Sequence, residues 1–425
     1  MVAAMLQRKD DSAASRAQKG GDLRKTDMGF PEFVALMGLM MGLTALSVDI
    51  MLPALGEIGQ ALHVTAPNDR QLVITYYLLG FAFGQLLFGP LSDRLGRKGP
   101  LAAGLIIFAI ADVVALCSTS APLLFAARAV QGFGAAAPRV IALAIIRDRY
   151  AGRQMAQVMS FVIMVFIIMP IVAPMIGQSV MQLVVWRGVF AVLLAVALIT
   201  LAWSWLRLRE TVRDGALPAV SLMGALRNIV CSRQTVGYSI GFGCFFGIMM
   251  SYIASAEQIF VDVYQLGSMF PLVFASVSSV MILASFLNSR LVMRYGMRRV
   301  SHASLLAFIC VCAGMAAAGF PAHPPLLVFC GFMMATFFCF GLLGPNFNAL
   351  AMEPMGSIAG TASSFIGFYT TTSGAVFGWI VGHAFDGSVR PLTVGFSALA
   401  VLCLIVVLVT ERFQLFQSHQ PPQTH

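Results

Sequence analysis

The 425-residue chain is 59% hydrophobic and 11% charged, with a mean hydropathy of +0.85 and a formal charge of +9. A soluble domain averages about 45–50% apolar and about 25% charged residues. The composition excludes a water-soluble globular domain and makes lipid the solvent for most of the surface.

Residues 1–29 are polar and lack the apolar centre of a signal peptide, so they read as a cytoplasmic tail. About 20 apolar residues cross a bilayer as a helix. That window gives twelve spans, near 30–54, 71–91, 100–120, 122–146, 156–179, 187–207, 236–260, 269–289, 300–320, 325–349, 361–384 and 391–411. Backbone groups in lipid must pair within their own segment, so each span is a helix. The polar stretch Arg207–Thr235, with "RLRETVRDGALP", separates six spans from six. The reading is an all-α integral membrane protein of two six-helix bundles, 30–207 and 236–411. A central cytoplasmic loop (208–235) joins them, and a short cytoplasmic tail (412–425) follows.

If the N-terminus is cytoplasmic, 22 of the 27 Lys and Arg fall on the cytoplasmic side. Only Arg70, Arg187 and Arg390 fall opposite, and Arg128 and Arg139 lie inside span 4. Positive residues favour the cytoplasmic side, so both termini are expected there, in a multi-pass protein of the cell's inner membrane. The basicity is topological, and no nucleic-acid motif accompanies it. Seven of the eight cysteines lie in the apolar spans and one, Cys231, in the centre. No metal spacing joins them to the six histidines, and they read as small buried hydrophobes.

Scarce charge concentrates in "FGPLSDRLGRKGP" (88–100), between spans 2 and 3. Gly89 and Gly96 permit a tight turn, and Arg94, Arg97 and Lys98 suit an anionic leaflet. Asp93 needs another reason. A carboxylate there can pair with the arginines or accept from the N-terminus of another helix. Displaced by 200 residues, Arg94, Gly96 and Lys98 recur as Arg294, Gly296 and Arg298 in "RLVMRYGMRR", while Asp93 falls on Met293. The two halves therefore read as decayed repeats.

The spacing G-x-x-x-D-R-x-G-R-K resembles the major facilitator superfamily signature between spans 2 and 3. "LSVDIMLPAL", "RAVQGFGAAAPRVIALAIIRDRYAG", "PIVAPMIG", "VVWRGVF" and "GPNFNALAMEPMGSIAGTASSFIGF" are similar to the bicyclomycin-resistance (Bcr/CflA) group of drug–proton antiporters. The similarity runs from about residue 30 to 411. It implies a major facilitator fold, proton-driven export of amphipathic small molecules by alternating access, and no cofactor beyond the proton gradient. A monomer is expected. The resemblance also implies a cytoplasmic latch role for Gly89, Asp93, Arg94, Gly96, Arg97 and Lys98. Glu257, in "SYIASAEQIF", departs from the Ser-Pro more usual in the group.

Ionisable groups inside a span are costly and need a reason. Asp49 in span 1 and Arg128 in span 4 lie at similar depth, roughly 7–9 Å below the outer surface at 1.5 Å per residue. They can pair if the helices face each other. Burial penalises the charge of Asp49 and Arg128 favours it, so substrate or conformation can tip its protonation. The competing reading is a permanent structural ion pair. Asp112, the lone charge of span 3, is a second protonation candidate, or faces a water-filled crevice, or snorkels outward. Glu257 and Asp262 read as a solvated rim or as an attractor of cationic substrates. Glu353 reads as a loop latch, His383 as a satisfied or interfacial histidine, and Arg139 as reaching towards the cytoplasmic half with no assigned role.

Pro170, Pro174 and Gly177 make span 5 either a hinge or a static kink. Gly374, Gly378 and Gly382 form a small-residue stripe suited to close packing. Tyr76, Tyr77, Gln85, Tyr252, Asn346, Asn348 and Tyr369, with Glu257, are candidates for the substrate cavity. Few fixed charges line the spans, which disfavours phosphorylated sugars and di-acids. The alternative within the fold is a carrier of a metabolite, siderophore or amino acid, with or without proton antiport. An enzyme would need clustered catalytic or metal ligands, and ATP-driven transport a Walker A pattern; neither is found.

Overall fold

The computed structural model describes residues 28–64, 66–150, 152–211 and 222–416. The N-terminal tail up to residue 27, positions 212–221 of the central loop and the last nine residues of the C-terminal tail lie outside the described residues. Twelve helices of 19 residues or more follow one another: α1 Phe30–Asp49, α2 Leu72–Leu95, α3 Lys98–Leu116, α4 Ala121–Arg149, α5 Gly152–Leu183 and α6 Arg187–Arg207, then α7 Arg233–Glu257, α8 Phe270–Tyr295, α9 Met297–Ala317, α10 Leu326–Met352, α11 Ala359–His383 and α12 Arg390–Thr410. Each overlaps one expected span. Among the described residues, ten helical segments have both the length and the apolarity of a membrane crossing. In α11, the run "GFYTTTSG" dilutes the hydropathy.

Local chemistry explains where the helices start and stop. Prolines occupy the first turn of α1, α4, α8 and α12, where a missing N–H leaves no bond unmade. Ser232 caps α7 by accepting from the Thr235 amide at 3.3 Å. The helices α2 and α8 stop at Gly96 (φ 85°, ψ 172°) and Gly296 (φ 82°, ψ 156°), a conformation almost confined to glycine. These matching turns are the structural trace of the repeat. At its far end α7 passes into a wider, π-helical turn over Gln258–Val263, which carries the span beyond the expected residue 260.

Within the first half α4 is the centre, packed on both α2 and α3; in the second half α7 packs on α11, α12 and α10. A Cβ on Gly132 would collide with the Tyr77 carbonyl, so α2 and α4 approach to backbone contact. The halves meet along two helix pairs, α2 with α11 and α5 with α8. Gly374 and Gly378 let α11 close onto Phe246 and Met250 of α7, as the small-residue stripe suggested. Outward-facing Ile110, Leu283 and Ile405 are exposed, as lipid-facing side chains should be. Four cysteines (Cys244, Cys312, Cys339 and Cys403) are buried, whereas Cys117, Cys231 and Cys310 are exposed, which corrects the expectation for those three.

The ends of α2, α4, α6, α8, α10 and α12 share one face, called here the basic face, which carries Arg97, Arg147, Arg207 and Arg298. The α1–α2 connection, the end of α7 and the α11–α12 turn share the opposite face.

Candidate functional site

Arg128 on α4 is fully buried. Its Nη2 donates to the Ser47 carbonyl on α1 at 2.9 Å, and its Nε to the Val73 carbonyl on α2 at 3.1 Å. Nη1 donates to Gln131 Oε1, and the guanidinium lies 4.4 Å from the centre of the Tyr77 ring. Gln131 Nε2 in turn donates to Asp112 Oδ1 on α3 at 2.7 Å. One polar chain thus ties four helices through the middle of the first half. Gln131 is the residue sequence reasoning missed. Its spacing of three from Arg128, one helical turn, was the available signal.

Asp49 stands apart from this chain. It is 2% exposed, and its Oδ1 has no hydrogen-bond partner among the described residues. The expected pairing with Arg128 does not form. Similar depth was necessary but not sufficient: the guanidinium is turned to the Ser47 carbonyl, two residues before Asp49. Asp49 instead lies within electrostatic reach of Tyr252 on α7, whose hydroxyl is also unpartnered. Asp112 Oδ2 and Thr44 Oγ1 are likewise buried without a hydrogen-bond partner among the described residues. On α5, Gly177 lets the helix approach the Ile50 carbonyl, next to Asp49. The helix runs unbroken through Pro170 and Pro174.

On the opposite face the halves are bolted together. Arg70 Nη2 lies 2.5 Å from Asp262 Oδ2 and 3.2 Å from Glu257 Oε2, the latter off the hydrogen-bonding direction. Gln71 bonds Gln258, and Gln258 Nε2 donates to Asn68 Oδ1 at 2.8 Å. Asn68 Nδ2 reaches the carbonyls of His383 and Phe385, each at 2.9 Å. Glu257 is therefore a buried cross-half partner, which corrects both its solvated-rim and its cavity readings. His383 stacks on Trp379 with its Nδ1 3.6 Å from Asp69.

At the basic face Arg97 is the hub. Its Nη1 is 2.5 Å from Asp93 and 2.9 Å from Ser92 Oγ, and its Nε donates to Asp148 at the end of α4 at 2.8 Å. Glu210, just past α6, accepts from the Arg97 and Lys98 amides at 2.7 and 3.1 Å. Burial works against the Arg97 charge, but the bonds to Asp148 and Asp93 outweigh it and raise its pKa further. Asp93 also reaches across to the second half, lying 3.8 Å from where a Cβ on Gly360 would sit. Gly360 is in the first turn of α11, whose N–H groups favour an anion. Gly89 faces Ser364 of α11, where a side chain would collide. Lys98 Nζ donates to the Trp205 carbonyl at 2.9 Å, and Arg94 is exposed. Asp148 and Glu210 carried no signal of their own in the sequence.

Between the halves a cavity of about 210 Å³ runs from this face inward along α2, α4, α7 and α11. Gln85 and Asn348 line it. The other cavity candidates do not. Tyr76 stacks on Phe125 at the surface, and Tyr77 is buried against Arg128. Tyr252 is enclosed by Phe260, Phe274 and Phe337, Asn346 donates to Asn288 Oδ1 at 2.8 Å within the second half, and Tyr369 packs on Gly243. Ligand sites usually hold about 300–1,000 Å³, so the halves must part further along α2 and α11 to admit a drug-sized molecule.

A family model, described as the Major Facilitator Superfamily, matches residues 37–379. The chain belongs to that superfamily. An MFS-type transporter of Bacillus subtilis, YdgK, is 30% identical over 82% of this chain and 87% of its own length. The bicyclomycin resistance protein homolog of Haemophilus influenzae is 29% identical over 88% of this chain and 94% of its own, which bears out the resemblance to that group. Among solved structures, the D-xylose–proton symporter superposes with a TM-score of 0.69 at 16% identity, covering 88% of this chain and 95% of that one. A bacterial homolog of the lysosomal transporter Spinster, inward-facing and occupied, gives 0.69 at 16% identity over 91% and 98%. These likenesses show the fold, a multi-pass membrane protein of two six-helix bundles, and the family model makes it a member of a superfamily of transporters.

Proposed function

We propose that this major facilitator is a proton-coupled exporter of drug-like small molecules. It would sit in the inner membrane with its basic face and both termini in the cytoplasm, and work as a monomer without a cofactor. Relatives named for bicyclomycin and chloramphenicol resistance, the latter from Pseudomonas aeruginosa at 31% identity over 60% of the chain, support the substrate class. The charge bias across the spans supports the orientation. With the opposite face bolted and the cavity reaching the basic face, the geometry fits a state that loads from the cytoplasm.

The observation that carries the coupling is the layer of buried oxygens on Asp49 and Asp112 beside the Arg128–Gln131 chain. A carboxyl group shut in a membrane protein with an oxygen unbonded is suited to gain and lose a proton. A proton on Asp112 weakens its hold on the Gln131 amide, and through Gln131 changes how firmly Arg128 grips the Ser47 carbonyl of α1. Asp49, at the end of α1, takes or gives a proton as that helix shifts. One proton entering from the opposite face as the substrate leaves there, and leaving at the basic face as the next substrate binds, balances the cycle.

The test uses inside-out vesicles with a respiratory proton gradient. Adding chloramphenicol or bicyclomycin is expected to discharge part of the gradient in the wild type, and Asp49→Asn to reduce that response at least ten-fold. An undiminished response in Asp49→Asn would remove Asp49 from the proton path, and Asp112→Asn then decides whether Asp112 carries it. No response to either compound in the wild type would sink the antiport reading.

A further inference from the structure

We infer that the basic-face end of α8 binds an anionic glycerophospholipid of the bilayer, its phosphate between Arg290 and Arg294 and an acyl chain along Phe286 and Leu283. This goes beyond the transport reading and does not depend on what is moved. At about 100° per residue, Leu272, Leu283, Phe286, Met293 and Arg294 all fall within about 60° of Arg290 around the helix. All six are exposed. The other side of α8 is taken up by its own half, where Ala284 fills the space beside Gly341 of α10 and Asn288 accepts from Asn346. The exposed stripe starts in the first turn of α8 and runs the length of the span, so it faces lipid and ends in two cations.

Arg290 stands about 7–8 Å short of the helix end at Tyr295. A long cation at that depth ordinarily snorkels out to water. Here its guanidinium carbon instead folds back one turn deeper, 4.5 Å from the centre of the Phe286 ring. That of Arg294 lies 5.2 Å from the centre of the Tyr295 ring. Among the described residues neither arginine pairs with an acid: Glu353 and Glu411, the carboxylates of this corner, stand beside Arg298 and bond Gln234 and Tyr238. A cation on the lipid side without a counterion is costly, and the bilayer's own anions are lipid phosphates. One helical turn sets the two side chains about 5–6 Å apart at Cβ, a spacing at which one phosphate accepts from both. A guanidinium stacked by its face keeps its N–H edge for that bond. A phosphocholine would bring a cation of its own to the pair, so the fit is to a headgroup without one, as in phosphatidylglycerol. The pair belongs to the second repeat, because Pro90 stands in the first where Arg290 stands here.

The experiment is native mass spectrometry of the full chain released from nanodiscs of equal palmitoyl-oleoyl phosphatidylglycerol and phosphatidylcholine, counting the lipids that stay bound. The wild type is expected to retain phosphatidylglycerol at least five-fold over phosphatidylcholine. Arg290→Gln combined with Arg294→Gln should lose one retained phosphatidylglycerol and cut the preference at least three-fold. The double lysine variant should keep most of it, and Arg390→Gln, which removes a cation from the opposite face, should change nothing. Equal retention of the two lipids by the wild type overturns the inference without any variant having to fold. Unchanged retention in the double glutamine variant overturns it too, and an equal fall in Arg390→Gln would assign the preference to net charge instead of this site.

Discussion

The turns at Gly96 and Gly296 have the same backbone, yet their neighbouring arginines live differently. Arg97 is bonded directly to Asp93 and Asp148 at 2.5 and 2.8 Å, with Glu210 closing on the backbone beside it. Its counterpart corner holds Arg298, which stands 3.8 Å from Glu353 and 3.7 Å from Glu411. Those two carboxylates are taken by Gln234 at 2.6 Å and by the Tyr238 hydroxyl at 2.7 Å, and Arg298 itself bonds Gln234 Oε1 at 2.9 Å. Where the first corner has Asp93 aimed at α11, the second has Met293, exposed. The duplicated turn kept its shape, and in the first copy Asp93 reaches the other half at Gly360. The second copy fastens the ends of α7, α10 and α12 to one another.

The comparison predicts unequal responses to equal substitutions. The largest concerns transport: Asp93→Asn should slow substrate flux at least ten-fold with little change in binding, whereas Met293→Asp should leave flux within two-fold. Vesicle uptake and nanodisc binding read these two quantities separately. Equal losses at both positions would erase the distinction between a corner that couples the halves and one that only braces its own. Next comes stability. Arg97→Gln leaves Asp93 and Asp148 without their partner and should cost about 1–3 kcal/mol, tempered by the half-exposure of Asp93. Arg298→Gln, which breaks looser contacts, should cost less, as the order of thermal denaturation midpoints in detergent will show.

The glycines sharpen the same contrast. Alanine at either position meets backbone strain of about 1–3 kcal/mol. At Gly96 a Cβ would also stand 2.7 Å from Glu210 and push it off the Arg97 amide, while nothing lies within 4 Å at Gly296. Gly96→Ala should therefore denature at the lower temperature of the two, and a reversed order would contradict the role given to Glu210. The smallest effect is Tyr238→Phe, which removes a hydrogen bond to Glu411 and one shared with His302 at 3.2 Å. About 0.5–1.5 kcal/mol of stability should go, with flux unchanged.

What could be read from sequence follows from how local each signal is. The spans were legible because a bilayer demands apolar length, and the latch because its residues are contiguous, so Asp93, Gly96 and Arg97 act within one turn of each other. Depth was also legible, since it is a count of residues. Azimuth was not. Tyr76 and Tyr77 differ by one residue and about 100° around α2, which sends one to the surface and the other onto Arg128. The same ignorance of rotation matched Asp49 to Arg128 by height, whereas the guanidinium is turned to the Ser47 carbonyl. Long-range partners such as Arg70 and Glu257, 187 residues apart, needed the packed halves before they could be seen at all.

The bolts of the closed face differ in what they ask of evolution. Asn68 and Gln71 grip the carbonyls of His383, Phe385 and Gly382, atoms that every amino acid supplies. Drift at 383 and 385 leaves those bonds in place, while drift at 68 or 71 removes them. Gly382 is the exception, because any side chain there would run into Gln71. A saturation scan of this closure should therefore be lopsided, with the first half's residues held fixed and the second half's loop free to change, apart from a single glycine.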